Sequence, residues 1–185
     1  MLKIVTVPNN TLSLPTKPIE NIDADIKKII FDMEKVLIAQ NDPPGVGLAA
    51  NQVGLDLSIF IIRPSEKAKT KIFINPKIVK ISQSSLKLVK TSSTNSTKKK
   101  RNRVKLEGCL SIPRIWGPVK RKDRVFLKYQ DLTGKEYLKW FTGFESIIIQ
   151  HEMDHLNGVV FTQRSLEQEK QLYREENEEL VKIEY

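Results

Sequence analysis

The chain contains two histidines, His151 and His155, four residues apart in His151-Glu152-Met153-Asp154-His155. On a helix that spacing stacks both imidazoles on one face, where both can reach one metal ion. Glu152 follows the first histidine directly, near enough to take a proton from a water held at such an ion. The motif calls for a helix through 151–155 and for a further ligand from elsewhere, because catalytic sites of this kind use three protein ligands and keep one position for water.

Two residues compete for that third position. Glu175 lies 20 residues beyond His155, a spacing reminiscent of thermolysin-like zinc endopeptidases. It also belongs to Glu175-Glu176-Asn177-Glu178-Glu179, which an ordinary solvated helix face explains. Cys109 is the sole cysteine and cannot close an internal disulfide. A lone cysteine is most often a small buried hydrophobe. Its setting, Glu107-Gly108-Cys109-Leu110-Ser111 ahead of Pro113, is what raises it to a candidate ligand.

Apolar periodicity describes a mixed fold. Ile26, Ile29, Ile30, Met33 and Leu37 make one stripe of a helix over 23–40, with Asp23 as N-cap and Pro43-Pro44 blocking its continuation. Residues 57–62 and 71–74 are predicted strands bounded by Pro64 and Pro76, and 78–81 continues the sheet. Residues 104–111 resume it, and 124–129 with 136–141 form a hairpin around Asp131-Leu132-Thr133-Gly134. The motif helix spans 144–156 and ends at Asn157-Gly158, followed by a short strand at 159–161. A C-terminal helix is predicted over 166–181, with Leu166, Leu172, Tyr173 and Leu180 inward. These elements do not alternate as βαβ units. The class is α+β: mixed and antiparallel strands around a central metal-binding helix, with N-terminal and C-terminal helices, in one domain over 1–185.

The net charge of +9 is localised. Eight of the 31 Lys and Arg residues fall within 82–105, a stretch without acids, and the remaining 23 nearly balance 22 Asp and Glu. A basic fold surface is therefore not implied. The same stretch holds a Ser/Thr/Asn run from Thr91 to Thr97 and reads as a basic, low-complexity insertion. A solvated loop explains it; a contact to ribosomal RNA is the alternative. No apolar run reaches the length of a membrane span, and no DNA partner is expected.

Three segments, in this order, resemble the signatures of peptide deformylases: Gly45-Val46-Gly47-Leu48-Ala49-Ala50-Asn51-Gln52, Glu107-Gly108-Cys109-Leu110-Ser111, and Gln150-His151-Glu152-Met153-Asp154-His155-Leu156-Asn157-Gly158. The resemblance runs from about residue 12 to residue 161, interrupted by the insertion, and Ser-Ile-Pro at 111–113 is similar to the bacterial and organellar type I group. The first segment also fits the dinucleotide pattern G-x-G-x-x-A, but a helix and two prolines precede it where that reading needs a strand.

The resemblance implies metal-dependent hydrolysis of the N-formyl group from the formyl-methionine of nascent polypeptides, a linear amide, with release of formate. Carried over, Cys109, His151 and His155 hold one divalent ion, Fe(II) in the cell, with zinc, nickel or cobalt as other occupants. Glu152 is general base and then acid; Gln52 and the backbone N–H of Leu110 stabilise the oxyanion on the formyl carbonyl. The backbone around Val46 and Gly47 pairs with the substrate like an added strand, with Gly108 also contacting it. Val46, Phe144, Ile147 and Ile148 line the methionine pocket. Glu107 and Asp154 are second partners for the histidines or simple ion pairs. At Trp116 the family often has an arginine.

The rivals are an endopeptidase using Glu175 and a catalytically silent ribosome-binding homologue, although no ligand or catalytic position is missing. The expected partners are formyl-methionyl nascent peptides and, through the insertion, the ribosome. The expected compartment is the cytoplasm in a bacterium. In a eukaryote it is a plastid or mitochondrion, with a transit peptide removed.

Overall fold

The structure is a computed structural model and describes residues 2–83 and 106–185. The insertion at 82–105 therefore lies almost wholly outside the described residues, as do positions 104 and 105 of the strand expected at 104–111.

Helix α1, Ala24–Ile38, starts where expected: the Asp23 carboxylate accepts from the Ile26 N–H at 2.9 Å. It buries Ile26, Ile30, Met33 and Leu37, with Ile29 at the margin of the same cluster. One antiparallel sheet has the order β1 (Gly47–Ala49), β2 (Ile59–Ile62), β3 (Lys71–Ile81), β6 (Arg124–Gln130) and β7 (Glu136–Thr142). Helix α2, Gly143–Leu156, carries the histidine motif.

Alternation along β2 decides the layering. Ile59 and Ile61 join the cluster under α1, while Phe60 and Ile62 join the cluster under α2. Successive side chains of a strand face opposite ways, so a run of four apolar residues is buried on both faces at once. The sheet therefore lies between the two helices. Helix α2 buries Ser146, Ile148, Ile149, Gln150, Glu152, His155 and Leu156, and some of its polar groups find partners. The Gln150 amide accepts from the Lys122 N–H at 3.0 Å and donates to the Lys122 carbonyl at 2.8 Å. Asn51 donates to the His155 carbonyl at 2.5 Å.

Residues 71–74 and 78–81 are one strand rather than two. It crosses Pro76 through a register shift between Ile74 and Lys77. Asn75 takes a left-handed conformation there, and its amide bonds both backbone groups of Ile19. Proline cannot donate to the ladder, so the interruption became a bulge instead of an end.

A second sheet has the order β4 (Glu107–Cys109), β5 (Ile112–Gly117), β8 (Tyr173–Glu176) and β9 (Glu179–Lys182). Two expectations fail at this end. Residues 159–160 form no strand, and helix α3 begins at Phe161 and ends at Glu167. Of the remaining residues of the helix expected over 166–181, 168–172 are irregular and those from Tyr173 onward fold instead into the β8–β9 hairpin, with Asn177 and Glu178 both at positive φ in its turn. Two consecutive left-handed residues match the twist of paired strands, and an asparagine at the first is their usual signal. The spacing of Leu166, Tyr173 and Leu180 is equally a helical and a coincidental repeat; only Leu172, buried beside Phe161, entered the core.

Candidate active site

The two sheets and α2 meet at one cavity of about 260 Å³. Val46 and Gly47 enter its wall from β1 and the residue before it; Gly108 and Cys109 come from β4 and Leu110 from the turn that follows. Phe144, Ile147 and Ile148 of α2 add apolar surface, and His151, Glu152 and Gln52 supply polar groups. Every binding residue expected from the sequence lines this space.

Cys109, His151 and His155 each offer a ligand atom, and these atoms lie within 4.8 Å of one another. Cys109 Sγ is 3.1 Å from His155 Nε2. One thiol and two imidazoles at that spacing fit a single divalent ion. Burial holds the His155 imidazole well below its ordinary pKa, in the neutral form that a metal accepts. Glu175 is not among them. It stands on β8, where its carboxylate accepts from the Trp116 indole at 2.7 Å, so the endopeptidase reading has no third ligand.

Glu152 is buried, and its Oε2 has no hydrogen-bond partner. Burial pushes its carboxyl up to about 7, although the nearby His151 and Arg121 charges oppose the shift. A carboxylate so placed is poised to exchange protons near neutrality. Gly47 makes room for it: a Cβ there would run into the Glu152 carboxylate and approach Ile148 to 2.8 Å.

Gln52 sits in a 3-10 turn, Ala50–Val53, directly after β1. Its carbonyl accepts from the Ala49 N–H at 2.8 Å, which fixes the amide orientation. The NH2 then faces Ser111 Oγ at 3.3 Å and Cys109 Sγ at 3.4 Å.

Behind the histidines lies a charged chain that sequence reasoning saw only in part. Glu107 Oε2 lies 3.1 Å from His151 Nδ1. Arg121 grips the same carboxylate at 2.9 Å through each of two nitrogens and donates to Asp154 at 2.5 Å. Asp154 also accepts from Arg164 at 2.9 Å. Burial alone would raise the Glu107 carboxyl, but His151 and Arg121 outweigh it and hold it at about 2. Glu107 and Asp154 thus belong to a buried network, with only Glu107 touching a histidine. Nothing in the sequence separated Arg121 from the other basic residues.

A buried thiol and two imidazoles beside a partnerless carboxylate, set in an α+β fold, make the arrangement of a metallohydrolase. The family model described as polypeptide deformylase matches residues 1–171. A peptide deformylase of Borreliella burgdorferi is 41% identical over 161 residues, 86% of this chain and 85% of that one. Peptide deformylase 1 of Bacillus cereus is 33% identical over 178 residues, covering 96% and 97% of the two chains. Among solved structures, a Plasmodium falciparum peptide deformylase aligns with a TM-score of 0.74 at 35% identity, covering 88% of this chain and 86% of that one. The Thermotoga maritima enzyme aligns at 0.73 and 30% identity, covering 89% and 97%.

The chain belongs to the polypeptide deformylase family. Its activity is the metal-dependent removal of the N-formyl group from the formyl-methionine of nascent polypeptides.

Proposed function

We propose that Cys109, His151 and His155 hold the metal and that Glu152 moves the proton. The supporting observation is the convergence of the three ligand atoms within 4.8 Å beside the partnerless Glu152 Oε2. A divalent ion there polarises a carbonyl and acidifies a water. Glu152 takes the proton of the attacking water at Oε2 and returns it to the departing amine nitrogen. The Gln52 NH2 and the backbone N–H of Leu110 donate to the oxygen on which charge develops.

Val46, Gly47 and Gly108 bind the peptide backbone. β1 is the outermost strand of its sheet among the described residues, so a peptide can add to its free edge. Methionine enters between Val46, Phe144, Ile147 and Ile148. Residues 1–185 act as one domain.

Fe(II) is the ion in the cell, with zinc, nickel or cobalt able to replace it; a thiolate with two imidazoles suits all four. The enzyme works beside bacterial-type ribosomes, in a bacterial cytoplasm or in a plastid or mitochondrion; the basic stretch 82–105 is a solvated loop, with a contact to ribosomal RNA as the alternative. Anaerobic purification, metal analysis and formate release from formyl-Met-Ala-Ser test the core of this reading. A protein with one equivalent of iron that leaves the peptide intact overturns it. The iron form should lose activity in air and the nickel form keep it, because oxygen reaches both iron and thiolate. Equal half-lives would count against iron.

A further inference from the structure

We infer that Trp116, fixed by Glu175 of the C-terminal hairpin, is the wall that selects among residues following formyl-methionine. The inference rests on the deformylase reading of the cavity. Trp116 stands on β5, which pairs with β4 on one side and β8 on the other. Its register partner on β8 is Tyr173. Its benzo ring lies over Gly108, where a Cβ would approach ring carbons to 2.8 and 2.9 Å. A side chain at 108 would displace the ring.

The indole has one polar atom, and Glu175 Oε2 accepts from it at 2.7 Å. That bond fixes the ring and leaves an apolar face. Trp116 lines the cavity of the metal ligands and also a neighbouring cavity of about 540 Å³ that includes Asp42, Arg114 and Glu178. The ring is thus part of the partition, shared with Pro43, Gly108, Cys109 and Leu110, between an apolar methionine site and a larger polar space. A peptide with methionine against Phe144 and Ile147 leads its next residues past this partition. A flat, immobilised aromatic surface favours bulky apolar side chains there over glycine. Trp116 is the specificity-determining residue, and Glu175 is a positioning residue acting through it.

The test uses the metal-loaded enzyme with two peptide series, formyl-Met-X-Ala and formyl-Met-Ala-X, where X is Gly, Leu or Phe. The parent should favour Phe and Leu over Gly in at least one series. Trp116→Ala should erase that preference by raising KM about tenfold for the bulky peptides, the equivalent of about 1.4 kcal/mol, while kcat holds. Glu175→Ala should lose part of the preference, and Glu175→Gln, which keeps an acceptor for the indole, should restore it. A second measurement needs no turnover. In a Trp140→Phe background Trp116 is the remaining tryptophan, and the product Met-Phe-Ala should change its emission more tightly than Met-Gly-Ala. Formate release absent throughout, with this emission difference intact, would sink the assigned reaction and leave the wall standing. Two results overturn the inference: equal losses for Gly and Phe peptides in Trp116→Ala, which mark a purely structural role, and no preference in the parent.

Discussion

Arg121 and Glu107 meet through two parallel hydrogen bonds, each 2.9 Å, directly behind the imidazole of His151. Both side chains are almost out of solvent, at 7% and 12% exposure, so the pair is held in a medium that screens it little. It holds His151 through the Nδ1 nitrogen of the ring. Metal-binding histidines need such a partner on the far nitrogen to fix the ring.

Replacing Arg121 by Met should therefore act twice. Glu107 and Asp154 would be left buried without their shared cation, a loss of about 3–5 kcal/mol. Metal affinity should fall about 10–100-fold as His151 loosens. Urea unfolding of metal-free protein reads the first effect and competition with a chelator reads the second. Parent values in both would show that the pair is ornamental.

Glu107 also sets a pH dependence. Its folded carboxyl sits at about 2 against an ordinary 4.5, so the folded state binds its proton less readily than the unfolded chain. A lowered carboxyl contributes stability above the unfolded value, and that contribution disappears as pH falls from about 4.5 to about 2. The difference corresponds to about 3 kcal/mol. Urea midpoints of the metal-free protein should fall steeply over that window, and Glu107→Gln should flatten the fall. Parallel curves for parent and variant would contradict the assignment.

Glu152→Ala should keep the metal and lose about 10²–10⁴-fold in turnover, because proton transfer goes while coordination stays. Metal content and kcat measured on one preparation decide it. Full turnover at full occupancy would remove Glu152 from the mechanism.

Cys109→Ala and Glu175→Ala separate the two candidate third ligands. The first should emerge from purification without stoichiometric metal, the second with it, since the Glu175 carboxylate is spent on Trp116. A metal-depleted Glu175→Ala protein with intact ion content in Cys109→Ala would revive the endopeptidase arrangement.

Removal of residues 84–103 should leave turnover of formyl-Met-Ala-Ser nearly unchanged. The segment has few apolar residues to contribute to a core, and loop length costs little in closure entropy. If the segment meets ribosomal RNA, its removal should also weaken ribosome association and flatten its salt dependence. A folded, metal-loaded deletion variant without tripeptide turnover would mean that the segment belongs to the active site. Identical ribosome association across a salt series would dismiss the RNA contact.

The local elements were legible wherever one stretch of chain carried its own physical signal. The i, i+4 histidines announced a helix, Asp23 announced the start of α1, and the apolar alternation of 124–129 and 136–141 announced a hairpin. The stretch 166–181 is one that periodicity misreads. Its leucines fit a helical repeat, which is the reading the sequence supports, but Asn177 and Glu178 take positive φ and β8 pairs with β5.

Residue types and spacing alone named the candidate chemistry: two histidines at helical spacing, one cysteine in its Gly-Cys-Leu setting, and one carboxylate between the histidines. Those residue types and spacings are local, and ligand preference follows from atoms that each side chain brings with it. Which charges are buried and which apolar faces remain open follows from the folded packing. Arg121 reads like any other surface cation until folding seals it between Glu107 and Asp154, and nothing local to Trp116 pairs it with Glu175, 59 residues away. Burial and pairing depend on residues distant in sequence, so they exist only once the two sheets and α2 have closed around them.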